Sequence, residues 1–300
     1  MRQPRDLYLD LLKKTLSFSL WPEPPVDLGF FGHKQTRFQR LVLGPLDRML
    51  RRHSYRIMVD RPMTPQQRQG GEIWPSYADT MAGMKRLDNL QMAVETVLAE
   101  GVAGDLIETG VWRGGSCILM KAVLAAHGIR NRRIFVADSF EGLPPPDEAY
   151  PVDKGDTLFQ EDFLRVSEEQ VRKNFRRYGL LDKQVVFLKG FFADTLPDAP
   201  IEKLAVLRLD GDMYSSTMDA LNALYHKLEP GGFCIVDDYA LLTCAAAVLD
   251  FRAKHGVDDA LIKIDRVAMY WRKGSGPAVA TTEAEAVQDT AMAAAMTGGQ

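Results

Sequence analysis

Residues 207–217 read LRLDGDMYSST, and residues 233–240 read FCIVDDYA. Each begins as an apolar strand and closes on carboxylates, Asp210 and Asp212 in the first and Asp237 and Asp238 in the second. Charges beside a buried strand are costly unless something positive compensates them, so the two ends must be read together. In an open parallel sheet the ligand crevice lies outside the carboxyl ends of the central strands, which is where these acids fall. Asp210, Asp237 and Asp238, with no histidine or thiolate among them, form a hard oxygen set suited to Mg²⁺ rather than zinc. By this count three acids are balanced by Mg²⁺ and one further cation. The competing reading is that they are loop aspartates capping helices.

Other short apolar runs alternate with helical patterns, which predicts a parallel sheet with helices on both faces. Strands are expected at GDLIET (104–109), RRIFVADSF (132–140), QVVFLKG (184–190), KLAVLRLD (203–210) and GFCIVDD (232–238). ALIKID (260–265) and RVAMYWRK (266–273) stand too close for a helix between them and predict a hairpin. Helices are expected at 84–100, 115–127, 168–178, 217–227 and 243–255. Near the start, Tyr8, Leu11, Leu12 and Leu16 recur at helical spacing and predict an amphipathic helix packed on its own protein. The stretch from about 20 to 78 is rich in Pro, Gly and Arg, and predicts helices joined by long loops with a mobile segment near Met63–Gly71. The Ala/Thr/Glu-rich residues after Lys273 predict a disordered tail.

The 300 residues are 46% hydrophobic and 26% charged, with formal net charge −3. That balance argues against a dedicated nucleic-acid binder. Cys117, Cys234 and Cys244 lack the spacing of a zinc knuckle or a disulfide framework and predict buried thiols in a reducing cytoplasm. No apolar run approaches a membrane span.

The first strand runs into GDLIETGVWRGGS (104–116), where Gly110, Gly114 and Gly115 let backbone approach a ligand. The spacing is not that of a dinucleotide fingerprint, and Glu108 before the turn would repel a pyrophosphate while suiting an amino or sulfonium group. Asp138, closing the next strand in VADSFEGLP, is placed to accept from ribose hydroxyls, or else to cap a turn. In KGFFADTLP, Phe192 is placed to cover an adenine face with Asp194 beside it, or else they are a packed aromatic and a loop acid. Adenosine without phosphates, plus a cation, points to S-adenosylmethionine.

Read together, TMAGMKRLDNLQ (80–91), GDLIETGVWRGGSC, VADSFEGLPPP, NFRRYGLLDKQVVFLKGFFADTLP, LAVLRLDGDMYSSTMDAL, GGFCIVDDY and IDRVAMYWRK resemble the macrocin O-methyltransferase-like family over about residues 76–273. YLDLLKKTLSFS (8–19) is similar to that family's first helix. The resemblance implies an α/β class I methyltransferase fold, a seven-stranded sheet with one antiparallel strand, behind an N-terminal helical lid over residues 1–75. It implies Mg²⁺- and S-adenosylmethionine-dependent methylation of sugar hydroxyls on antibiotics, and a homodimer. Asp210, Asp237 and Asp238 match the family's metal ligands. Thr80, Met81, Glu108, Gly110, Ser116, Asp138, Ser139 and Asp194 lie in motifs used around the cofactor. Two departures stand out. Leu241–Ala245 lack the proline and arginine of the family's pattern after the paired acids, and the segment from about Trp21 to Gly71 is longer than in the antibiotic enzymes and does not match them. Both fall where the acceptor should sit, so the resemblance implies the chemistry but not a macrolide acceptor.

These readings converge on methyl transfer from S-adenosylmethionine to a hydroxyl of a small glycoside, without nucleic acid or membrane as partner. Asp210 or Asp212 is expected to take the proton, with His33, His53 and Glu72 as outside candidates. The alternatives are a catechol-type O-methyltransferase, a non-catalytic S-adenosylmethionine-binding protein and a nicotinamide oxidoreductase.

Overall fold

The two acid-terminated runs lie side by side at the centre of one sheet. The computed structural model describes residues 2–28, 36–60 and 64–276; His33, Met63 and the tail from 277 onward lie outside them. The chain opens with α1 (Pro4–Leu16), β1 (Val26–Asp27), α2 (Arg37–Arg51), β2 (Met58–Val59) and α3 (Pro65–Gly70). There follow α4 (Met84–Ala99), β3 (Asp105–Thr109), α5 (Gly115–Ala126), β4 (Ile134–Asp138), α6 (Glu168–Arg177) and β5 (Val185–Lys189). The rest comprises α7 (Phe192–Thr195), β6 (Leu204–Leu209), α8 (Tyr214–Leu224), β7 (Leu228–Val236), α9 (Leu242–His255), β8 (Ile262–Lys263) and β9 (Met269–Arg272).

Seven strands form one sheet in the order β5-β4-β3-β6-β7-β9-β8, while β1 and β2 pair as a separate ribbon. β5, β4, β3, β6 and β7 are parallel, and β9 alone runs against its neighbours, as the expected fold class requires. The chain works outward from β3 to β5 and then returns to β6, so the strand order reverses between β3 and β6. Ligand crevices form at such a reversal. Side chains alternate faces along each strand. Leu106, Val136, Val206 and Ile235 enter the core under α1, α4, α5 and α6, while Ile107, Phe135, Leu207 and Cys234 enter the core under α8 and α9.

Helix α1 is part of the first core. Its buried stripe is Leu9, Leu12 and Leu16, each worth about 1.5–3 kcal/mol when fully buried. The expected face was off by a step: Tyr8 and Leu11 are 41% and 55% exposed. Lys13 completes the buried face, its stem packed and its ammonium paired with Asp88. Within the segment expected to be mobile, Pro65–Gly70 form a short helix, α3. Thr64 and Gln67 form a reciprocal capping box, Pro65 opens α3, and Gly71 closes it in the left-handed region. At the other end, the Asp259 carboxylate accepts from the backbone N–H groups of Gly274 and Gly276. Among the described residues no helix is long and apolar enough to cross a membrane.

Helix α8 starts three residues before the expected Thr217, and its cap explains why. Asp153, buried 61 positions away in the chain, accepts from the N–H of Tyr214 at 2.7 Å and of Ser215 at 2.9 Å. A carboxylate there satisfies two N–H groups that have no partner within the helix and faces the positive end of the dipole. Asp153→Ala should therefore cost about 1–2 kcal/mol in urea unfolding, the upper range for a lost cap. Asp162→Ala, an exposed change in the same loop, should stay within about 0.5 kcal/mol.

Candidate active site

The reversal between β3 and β6 opens into a cavity of about 1040 Å³. Its floor follows from strand register. Glu108 pairs with Arg208 across β3 and β6, and Arg208 with Ile235 across β6 and β7. With a side-chain period of two, Arg208 and Asp210 share a face, and Asp237 joins them from two residues beyond Ile235. The guanidinium of Arg208, 2% exposed, donates to Glu108, Asp210 and Asp237 together. From the first turn of α4, Arg86 donates to the other oxygen of Asp237 and pairs with Asp265.

These arginines revise the expected charge balance. The compensating cations for the inner acids are in the protein itself. Burial would raise Asp237, but Arg208 and Arg86 outweigh it and hold its carboxyl below the usual range. Burial pushes Glu108 up to about 7 against the pull of Arg208. Its second oxygen accepts from the Cys117 thiol at 2.8 Å.

Two acids lie outside this compensation. Burial and then Asp212, Asp210 and Asp237 push Asp238 well above the ordinary carboxyl range, and its carboxylate accepts from the Asp212 backbone N–H at 3.1 Å. Asp212 is lifted to about 7 by burial and Asp210. Its φ of 59° lies in the left-handed region, which aspartate tolerates better than most residues. One oxygen each from Asp210, Asp237 and Asp238 come within 4.8 Å of one another. Asp210 and Asp237 share their charge with arginines while Asp238 has none beside it among the described residues, and the three hard oxygen donors together fit a divalent cation of the Mg²⁺ type.

Around this floor the loops close tightly. Gly110 has φ of 87°, and a Cβ there would stand 1.7 Å from the Asp210 carbonyl oxygen, so the turn after β3 crosses directly over the end of β6. Asp138 holds that turn. Its carboxylate accepts from the N–H of Val111 at 2.8 Å and of Phe140 at 2.7 Å while it also lines the cavity. The capping role weighed for it is therefore present in the structure. Ser139 donates to the Gly142 carbonyl, and the Thr80 hydroxyl accepts from the Ala82 N–H.

Thr80, Met81, Glu108, Gly110, Ser116, Asp138, Ser139, Phe192, Asp210, Asp212, Asp237 and Asp238 all line this one cavity. Asp194 is not among its lining residues. It sits on the exposed side of α7, while Phe192 turns inward until its ring lies 3.3 Å from where a Cβ on Gly211 would stand. Glu72 lines the cavity, and His53 does not. Trp74, tilted against Phe163 at 5.3 Å, forms an apolar wall together with Leu241 and Leu143–Pro146.

Comparison with known proteins matches residues 5–273 to the family described as Macrocin-O-methyltransferase (TylF). The match takes in residues 21–71, which the motifs alone left outside the resemblance. A tetracenomycin relative, the 8-demethyl-8-(2,3-dimethoxy-alpha-L-rhamnosyl)-tetracenomycin-C 4'-O-methyltransferase of Streptomyces olivaceus, is 48% identical over 270 residues, covering 89% of this chain and 93% of its own. Mycinamicin III 3''-O-methyltransferase of Micromonospora griseorubida is 43% identical over 274 residues, 90% of this chain and 97% of its own. The solved structure of the O-methyltransferase NovP superposes with a TM-score of 0.76 at 44% identity, covering 90% of this chain and 99% of that one.

The Arg208 network predicts a large and non-additive stability effect. Arg208→Met leaves Glu108, Asp210 and Asp237 without a shared cation, and breaking such a buried pair should cost about 3–5 kcal/mol in urea unfolding. Glu108→Gln in the same chain should recover part of that loss, because it removes one of the stranded charges. A cost below about 1 kcal/mol for Arg208→Met would show that water, not the guanidinium, compensates these acids.

Proposed function

The chain belongs to the macrocin-O-methyltransferase (TylF) family, and on that premise we propose that it transfers a methyl group from S-adenosylmethionine to a sugar hydroxyl of a glycosylated natural product, with Mg²⁺ at the acid cluster. The observation that carries this reading is the convergence of Asp210, Asp237 and Asp238 at the end of the same cavity whose other wall is built from the glycine turn and Asp138. The relatives whose names specify a sugar-bearing antibiotic support the substrate class.

When bound, S-adenosylmethionine supplies an electrophilic methyl group, and Mg²⁺ supplies positive charge that favours an ionised acceptor hydroxyl. Thr80, Met81, Ser116, Asp138, Ser139 and Phe192 would hold the methyl donor; Asp210, Asp237 and Asp238 would hold the cation. Arg208 fixes Asp210 and Asp237 in one orientation, so the carboxylates need not reorganise during turnover. Of the two candidate bases, Asp212 is favoured on geometry. Asp210 already accepts from Arg208 and belongs to the cation cluster, whereas the Asp212 carboxylate lines the cavity without a cationic partner among the described residues. On this reading it would take the acceptor's proton. Trp74, Ile73 and Leu241, apolar residues among the cavity's lining, would limit water there once ligands are bound. The apolar side chains that α2 leaves exposed, Phe38, Leu41 and Met49, support association of two copies through the N-terminal segment.

The test is incubation of the protein with methyl-labelled S-adenosylmethionine and a panel of glycosides and catechols, read by mass spectrometry. One labelled methyl on a sugar hydroxyl is expected, abolished by EDTA and restored by Mg²⁺. Asp237→Asn should remove the Mg²⁺ response while S-adenosylmethionine still binds. Asp212→Asn should retain both ligands and lower turnover by about 10²–10⁴, the usual contribution of a positioned base. Full turnover in chelated buffer would overturn the metal role, and methylation of catechols alone would overturn the sugar acceptor.

A further inference from the structure

Arg86 has no role in the chemistry above, yet it touches three walls of the cavity at once. A guanidinium carries five donors in one rigid plane. From α4, Nη1 donates to Asp237, and Nη2 donates to the carbonyls of Gly70 and Gly71, at 3.2 Å each. Nε lies 3.2 Å from an Asp265 oxygen. The side chain is almost wholly buried.

Each contact leads to a different part of the site. Gly70 and Gly71 end α3, where helix carbonyls lack partners within the helix and face the negative end of the dipole. From Gly71 the chain continues as Glu72, Ile73 and Trp74, all lining the cavity. Asp265 organises the β8–β9 turn by accepting from the N–H of Val267 and Ala268, and Val267 also lines the cavity. Asp237 is a member of the acid cluster, and its second oxygen belongs to Arg208. The joint leaves no slack. A Cβ on Gly71, at φ 65°, would stand 2.2 Å from Arg86 Nη2 and 2.4 Å from the Gly83 nitrogen.

We infer that Arg86 is a positioning residue that couples the 70–74 wall to the acid cluster, so that a divalent cation fixing Asp237 also holds that wall against the cavity. The inference rests on the metal reading of the cluster. Lysine in its place would keep the charge but not the planar fork, which has to reach two carbonyls and a carboxylate in different directions.

Hydrogen exchange followed by mass spectrometry tests this on the full chain, with Mn²⁺ binding measured separately by electron paramagnetic resonance. In the parent protein, Mg²⁺ should slow exchange across residues 70–74 by at least about fivefold, the lower end for coupling between two sites. In Arg86→Lys and Arg86→Gln, residues 70–74 should exchange faster and lose the Mg²⁺ response, with β3 and β6 still protected and Mn²⁺ still bound. A response that persists in both variants would overturn the coupling. So would loosening that spreads equally to β3 and β6, which would make Arg86 a general stabiliser. Mn²⁺ binding by the parent without a change at 70–74 removes the coupling alone, whereas no Mn²⁺ binding removes the metal reading with it. If the glutamine variant does not fold, the lysine variant and the parent comparison decide.

Discussion

The structure depends on one buried guanidinium. Arg208 stands in the middle strand of a parallel sheet, at a position whose counterparts on the neighbouring strands are Glu108 and Ile235. Placing a charge there is tolerable only if partners surround it, and register supplies them: Glu108 beside it, Asp210 two residues ahead, Asp237 two residues beyond Ile235. The same register brings carboxylates from β6 and β7 to one place at the strand ends. The floor proposed to hold a cation and the end of the sheet are thus one arrangement. Arg208, together with Arg86, offsets part of the charge of the inner acids and leaves Asp238 and Asp212 at the cavity surface without a cationic partner among the described residues.

Much of this was legible in the sequence because it is local. The alternation of Leu207, Arg208 and Leu209, the apolar run of FCIVDD and the glycine turn after Glu108 each announce a strand and where it ends. A hairpin from residues 260–273 followed from the short spacing alone. What escaped depends on partners distant in the chain. Asp153 caps α8 from 61 residues away, so nothing near Tyr214 marked the start of that helix. The compensating arginines escaped for a related reason. Arg86 lies 151 positions from Asp237 and sits on a helix whose other buried residues are mostly apolar. Arg208 did leave a signal, a charge inside a strand of a sheet buried on both faces, which is rarely tolerated without a partner.

The N-terminal segment shows both kinds of outcome. The stretch from Thr64 to Gln67 carries a capping box with proline at the first helical position, a signature readable from four residues, yet the surrounding Pro, Gly and Gln content suggested a loop. In α1 the periodicity was correct and its phase was not. Leu9, Leu12 and Leu16 line up as well as Tyr8, Leu12 and Leu16, and only the position of α4 and α5 decides between them. Helix α1 is built into the core beneath the sheet, and among the described residues before 76 those lining the cavity are Gly71 to Trp74.

Anomalous diffraction from crystals soaked in Mn²⁺ and S-adenosylhomocysteine addresses the proposed cation site at the strand ends directly. One strong peak is expected within coordination distance of an oxygen of each of Asp210, Asp237 and Asp238, with Arg208 and Arg86 still in contact with Asp237. No peak there in crystals that hold the cofactor product, with the acids contacting only guanidinium and water, would contradict it.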